Sequence, residues 1–336
     1  MFMSDIRRAT QKHRKALLVV IIILAVGVVG SFAVWGSSNV SNKGTKNTVD
    51  DQIAATQTAI TNSITDTMDY TANKNVADLY MNLIGLYNQL TTAGEDATNA
   101  KVAAAAASAV QYYQAAIDTA PTELNNQGKA DLYFSKAQAS YYASDWAGTE
   151  ACVLKVIDLN QKEDMAYSDY ATLANYYSIL PEIYSQMDGD VSAKTTTANQ
   201  NAAKYYQLAI DNFPESGDAV SKAGLYINKA QIYISLGDMD KATSDYKAAV
   251  ALAPKDWSIN QQYTYFLLTS EGIDSALTFL KAFRAGMSDD DTNIEAVDSL
   301  ISSLESAKDS SEESKADTTT DSSEDATKDT TKDTTE

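Results

Sequence analysis

One histidine and one cysteine are all that this chain of 336 residues offers to imidazole or thiol chemistry. The histidine, His13, lies in a basic head. The residues after it therefore have no imidazole for general-base work, for a Ser/His/Asp triad or for a zinc site. The single thiol, Cys152, excludes an internal disulfide framework and a cysteine metal cluster, and reads as a small apolar residue of a helix. No phosphate-cradling G-x-x-x-x-G-K-[ST] loop and no G-x-G-x-x-G turn occurs, nor any LPxTG-like wall-sorting sequence. Basic residues are also in deficit. With 26 Lys and Arg against 45 acids the net charge is −19, which removes nucleic acid as a partner because phosphates need a basic surface.

One acidic cluster has a metal-like spacing. Asp289, Asp291 and Asn293 follow the D-x-D-x-N opening of a calcium loop, but Ile294 stands where that loop needs Gly and Leu300 where it needs a bidentate Glu. Acids meeting the positive end of a helix are the simpler reading. No catalytic residue, cofactor or metal site is expected. A surface hydrolase with a carboxylate pair is the remote alternative.

The charge is unevenly spread. Residues 1–35 carry +4 and residues 308–336 carry −6. After the basic head, 1–15, residues 16–35 (ALLVVIIILAVGVVGSFAVW) hold no charge. Such a run spans about 30 Å as a helix, enough for a hydrocarbon core. Basic residues before it predict a cytoplasmic N-terminus, with everything after Trp35 outside. A cleaved signal is the competing reading, with Ser31-Phe32-Ala33 as the cleavage site. Residues 36–50 form a polar, flexible linker, and 51–307 the folded domain. From Lys308 the chain is almost wholly Ser, Thr, Asp, Glu and Lys, which predicts a disordered tail over 308–336.

Within the domain, residues 223–254 (AGLYINKAQIYISLGDMDKATSDYKAAVALAP) are the clearest segment. Leu225, Tyr226, Ala230 and Tyr233, then Ala242, Tyr246, Ala249 and Val250, recur at helical spacing on either side of Leu236-Gly237-Asp238. Gly237 supplies a left-handed residue to close the first helix, and Pro254 stops the second. This is a helical hairpin with one apolar side per helix, which needs neighbours of its own kind to bury them. The aromatic, Leu-Gly, Tyr, Ala, Pro skeleton resembles the tetratricopeptide repeat. Tyr226, Ala230 and Tyr233 match its first helix; Ala242, Tyr246 and Pro254 match its second. Lys229 occupies a place where the family usually has Leu. The resemblance implies an all-α solenoid of helical hairpins that binds proteins or peptides, the first helix of each hairpin lining a concave groove.

The chain also repeats itself at long range. Gln111-Tyr112-Tyr113-Gln114-Ala115-Ala116-Ile117-Asp118 recurs 93 residues later as Lys204-Tyr205-Tyr206-Gln207-Leu208-Ala209-Ile210-Asp211. Leu132-Tyr133-x-x-Lys136-Ala137-Gln138 recurs at the same offset as Leu225-Tyr226-x-x-Lys229-Ala230-Gln231. Two blocks at one offset indicate a duplicated unit of about two and a half hairpins. Tyr87-Asn88-Gln89 and Tyr184-Ser185-Gln186 correspond upstream, with a short length change in the intervening loop. The hairpins expected are 76–120, 129–160, 165–213, 220–253 and 258–286. Before them Ile53, Ile60, Ile64 and Met68 form an amphipathic helix shielding one end. After them Asp289-Asp290-Asp291-Thr292 caps a final helix through Leu304. Pro181 should kink its helix. The expectation is one continuous right-handed stack.

Tyrosine is abundant, 20 against 7 Phe. Most fall at core positions of the repeat. In the pairs Tyr112-Tyr113, Tyr141-Tyr142, Tyr176-Tyr177 and Tyr205-Tyr206, neighbours lie about 100° apart around a helix, so one of each can face outward. The candidate partner-binding residues are Lys136, Gln138, Asn228, Lys229 and Gln231. Asn228 and Gln231, like Ser135 and Gln138, are three apart on one stripe. Lys136 and Lys229 either meet a ligand carboxylate or pair with an acid of the chain itself. The function expected is a membrane-anchored, extracytoplasmic scaffold that binds protein or peptide partners at a bacterial cell surface. The alternative is an accessory factor in export, folding or envelope assembly.

Overall fold

In the computed structural model of the chain, residues 48–90 and 95–320 are described, the side chains of 95–97 and 311–320 excepted. The basic head, the apolar run 16–35, most of the linker and the tail beyond 320 lie outside the described residues. No described helix is long and apolar enough to cross a membrane.

Twelve helices and no strand make up the described residues: α1 Val49–Ser63, α2 Tyr70–Asn88, α3 Glu95–Asp118, α4 Asn126–Tyr142, α5 Trp146–Asn160, α6 Tyr167–Ser185, α7 Ser192–Asp211, α8 Ala219–Ser235, α9 Met239–Leu252, α10 Trp257–Ser270, α11 Ile273–Ala285 and α12 Ile294–Thr320. They fall into two compact units, one ending at Leu159 and the other beginning at Asn160.

In the first unit α1 starts on a capping box. Thr48 Oγ1 accepts from the Asp51 amide at 3.3 Å, and Asp51 Oδ2 accepts from the Thr48 amide at 3.2 Å. Ile53 and Ile60 of α1 are buried in one cluster with Val76, Leu83, Ile84 and Leu86 of α2 and Val102, Ala105 and Ala106 of α3. Ile64, expected on that face, is the C-cap residue in extended conformation and is 43% exposed. A second cluster joins Ala77 of α2, Ala109, Tyr113 and Ala116 of α3, and Leu132 and Ala139 of α4. The buried alanines of α3 are small enough for close helix approach and are strong helix formers. Trp146, at the start of α5, meets the Tyr141 ring edge-on at 5.3 Å.

In the second unit Ala174 of α6, Ala202, Ala203 and Tyr206 of α7, and Ile232 of α8 form one cluster. A larger one runs from Ala223, Ile227 and Ala230 of α8 through Tyr246 of α9, Tyr263 and Phe266 of α10 and Leu280 of α11 to Val297 and Leu304 of α12. Trp257 stacks on Phe283 at 5.8 Å. Helix α6 continues through Pro181. Helix α12 does not stop at Leu304 but runs to Thr320, so residues 308–320 are helical where the sequence predicts a structureless tail. Its side chains tie back to α11 by Lys281–Glu305 at 2.7 Å, Arg284–Asp298 at 2.7 Å and Lys308–Asp274 at 2.6 Å. No Pro or Gly interrupts residues 294–320, so nothing in the backbone ends the helix sooner.

The duplication is two hairpins rather than two and a half: α2–α5 answer to α6–α9. Tyr70 and Tyr167 open their helices 97 residues apart, whereas from Lys101 and Lys194 onward the offset is 93. The four extra residues become the first turn of α3, which has 24 residues against 20 in α7. The turns that close α4 and α8 match bond for bond. The Asp145 amide donates to Ser140 O and the Asp238 amide to Tyr233 O, both at 2.9 Å, while the Ser144 and Gly237 amides donate to Tyr141 O and Ile234 O. Both turns are Schellman motifs with a left-handed residue at the same place, Ser144 at φ 57° and Gly237 at φ 76°. Asp145 and Asp238 then cap α5 and α9, accepting from the Gly148 and Lys241 amides.

Candidate functional site

The candidate residues lie on α4 and α8, the first helices of their hairpins. Lys229 faces inward. It is only 5% exposed, and its Nζ lies 3.0 Å from Asp245 Oδ1 of α9, donates to Gln207 Oε1 of α7, and stands 5.2 Å from the centre of the Tyr226 ring. The ligand-facing reading of Lys229 is thereby corrected: an acid of the chain has taken its ammonium. A buried ammonium is costly unless paired, and the side chain of α9 supplies the pair. Asp245 is 7% exposed, and its second oxygen, Oδ2, has no partner. Burial pushes its carboxyl above the usual range, while Lys229 pulls the other way.

Lys136 repeats half of this arrangement. Its Nζ donates to Gln114 Oε1, as Lys229 does to Gln207, and the two glutamines are held alike by Asp118 and Asp211 at 2.7 Å. At the position equivalent to Asp245, however, stands Cys152. That thiol is buried and pushed up by desolvation, with Lys136 near enough to oppose the shift. Lys136 is half-buried, and no carboxylate among the described residues pairs with it.

The amides separate. Asn228 is exposed, whereas Gln231 is half-buried and donates to Gln262 Oε1 of α10 at 3.3 Å. Gln231 also bonds the hydroxyl of Tyr246, whose pKa burial pushes up to about 12. Gln138 is half-buried. Asn175, which sequence reasoning passed over, is exposed on α6; its Oδ1 accepts from the buried Tyr206 hydroxyl at 2.6 Å, so its NH₂ is the end left to donate. The only sequence signal for it was the 97-residue offset from Asp78, whose Oδ1 accepts from Tyr113 at 2.7 Å.

Two of the four tyrosine pairs divide as the 100° spacing suggests, whereas Tyr176 and Tyr177 are both half-buried. Tyr113 and Tyr206 are buried, while Tyr112 and Tyr205 are half-exposed and stack on Tyr80 and Tyr177 at 5.8 and 5.4 Å. Lys101 lies over Tyr87 and Lys194 over Tyr184, again in matched places. No group of His, Cys, Asp or Glu among the described residues is placed to hold a metal ion.

These features define an all-α protein of helical hairpins, duplicated internally. Residues 223–256 match the tetratricopeptide repeat model, so the chain carries a tetratricopeptide repeat there, in α8 and α9. No curated protein matches the sequence. Among solved structures, BtubC (BKLC) from P. vanneervenii is 15% identical, with 79% of this chain and 93% of that one covered at a TM-score of 0.43. MamA is also 15% identical, covering 57% of this chain and 94% of its own, with a TM-score of 0.33. A thermophilic TPR protein from Thermus thermophilus is 15% identical over 67% of this chain and 98% of its own, TM-score 0.34.

Proposed function

We propose that the chain is a membrane-anchored, extracytoplasmic scaffold whose hairpins hold an extended segment of a protein partner. The observation that carries the binding surface is the exposure of Asn175 and Asn228 on α6 and α8, the first helices of two successive hairpins of one unit. Side-chain amides offer a donor and an acceptor each, which suits the peptide backbone whatever its sequence. The half-exposed Tyr177–Tyr205 stack in the same unit adds rigid aromatic area at low entropic cost. Anchoring rests on the charge-free run 16–35 and its basic flank.

Two experiments test the two parts. Crosslinking on intact cells should trap a protein partner through a photoreactive residue at the exposed Ser235, two turns beyond Asn228 on α8, and the double variant Asn175→Asp, Asn228→Ala, which keeps the acceptor for Tyr206, should lose it without loss of helix content. Trapping that survives this variant would remove the amide surface from the reading. Protease added to wall-stripped cells should digest the folded domain. A full-length product free in the medium and beginning near Val34 would show the apolar run to be cleaved instead.

A further inference from the structure

The two copies share their turn hydrogen bonds and their lysine-to-glutamine bond, yet they differ in charge around that lysine. In the second unit Lys229 and Asp245 form a charge-paired set with Gln207, and two tyrosine rings, Tyr226 and Tyr233, lie beside the ammonium. In the first unit the equivalent places hold Lys136, Gln114, Cys152, Tyr133 and Ser140. The acid has become a thiol, and the second ring a hydroxyl. Ser140 Oγ is fully buried and has no partner; it lies one turn beyond Lys136 on the same face of α4. This set therefore has a cation and an unmatched hydroxyl but no carboxylate. Gln114 offers Lys136 only a neutral carbonyl oxygen, its NH₂ end being turned to Asp118. Asp145 makes its charge felt at Cys152 but caps α5 through the Gly148 amide and forms no ion pair with Lys136.

We propose that the duplicated faces have diverged in charge preference, and that the face of the first unit around Lys136 takes an acidic stretch of the partner chain. This rests on the peptide-scaffold reading above. A half-buried lysine with no ion pair among the described residues, in a molecule of net charge −19, is a place that a partner carboxylate completes, supplying from outside what Asp245 supplies from within. The second unit, already neutral at the same place, gains nothing from an acidic ligand.

The full chain in detergent micelles, titrated into fluorescein-labelled hexaglutamate and hexaglutamine and followed by anisotropy, tests this. Hexaglutamate should bind about fivefold more tightly at low salt, the effect of one partly exposed ion pair. Lys136→Met should erase the difference, Lys136→Arg should keep it, and Cys152→Asp should erase it by supplying the internal acid. Equal binding of the two peptides by the wild-type chain, or a preference that survives both Lys136→Met and Cys152→Asp, overturns the charge preference and leaves the scaffold reading intact. Binding of neither peptide overturns the scaffold reading and this inference together.

Discussion

Helices α2–α5 and α6–α9 are two answers to one packing problem. Both hold a buried tyrosine hydroxyl against the preceding helix, but Tyr113 meets the carboxylate of Asp78 and Tyr206 the amide of Asn175. Both anchor a lysine on a glutamine, but only Lys229 meets an acid across the hairpin. The first copy thus keeps its acid on α2 and the second keeps its acid on α9. Geometry has outlasted chemistry. Hydrogen-bond shape is retained at each matched point, while the charge that fills it has moved.

The largest test of this contrast is the lysine. Lys229→Ala should cost about 3–5 kcal/mol, because it strands the buried Asp245, whereas Lys136→Ala should cost less than about 1 kcal/mol. Urea denaturation of both variants measures the gap, and equal losses would mean that the internal acid does not matter. The double change Lys229→Met, Asp245→Leu should recover most of the loss, since a buried pair replaced by apolar groups is often neutral.

Next comes the tyrosine hydroxyl. Tyr113→Phe should cost about 1.5–2 kcal/mol and Tyr206→Phe about 1 kcal/mol, because a hydrogen bond to a charged group is the stronger. The Asp78 figure is held down because that carboxylate is partly exposed. Asp78→Asn should bring the two copies level in thermal melts.

The turn gives a smaller difference of opposite sign. Gly237→Ala forces a side chain into the left-handed region and should cost about 1 kcal/mol, while Ser144→Gly relieves that conformation and should gain a few tenths of a kcal/mol. Losses in both would show that Ser144 stabilises its turn through its side chain.

The smallest effect is in pH. The folded state holds the Asp245 carboxyl above its ordinary value of 3.8, so on acidification the native chain takes up that proton before the unfolded chain does. This group therefore adds stability as the pH falls through its folded pKa, and removes it as the pH rises. Asp245→Asn, already less stable at neutral pH, should fall further behind the wild type on acidification through that window. A gap that narrows there would reverse the sign.

Much of this was legible in the sequence. The 93-residue offset and the Tyr-Tyr-Gln blocks revealed the duplication, and Gly237 and Pro254 marked their hairpin. The fate of Lys229 was not legible. Lys-Ala-Gln is the same in both copies, and what separates them sits on the following helix, where Cys152 faces one lysine and Asp245 the other. A partner sixteen residues away across a turn leaves no mark on the local pattern. Ile64 misled for a related reason: its spacing is helical, but the helix has already ended at Ser63. Residues 308–320 misled through composition, because polar residues without Gly or Pro extend a helix that α11 already holds by ion pairs.

The placement of the tryptophans has an optical consequence. Trp146 lies in the first unit against Tyr141, Trp257 in the second against Phe283, and the third, Trp35, belongs to the apolar run. Each folded unit thus has a single indole emitter of its own. With Trp35 and one other replaced by Phe, the remaining emission reports the melting of one unit alone. Coincident transitions in the two singly emitting proteins would mark one cooperative block, and separate transitions two.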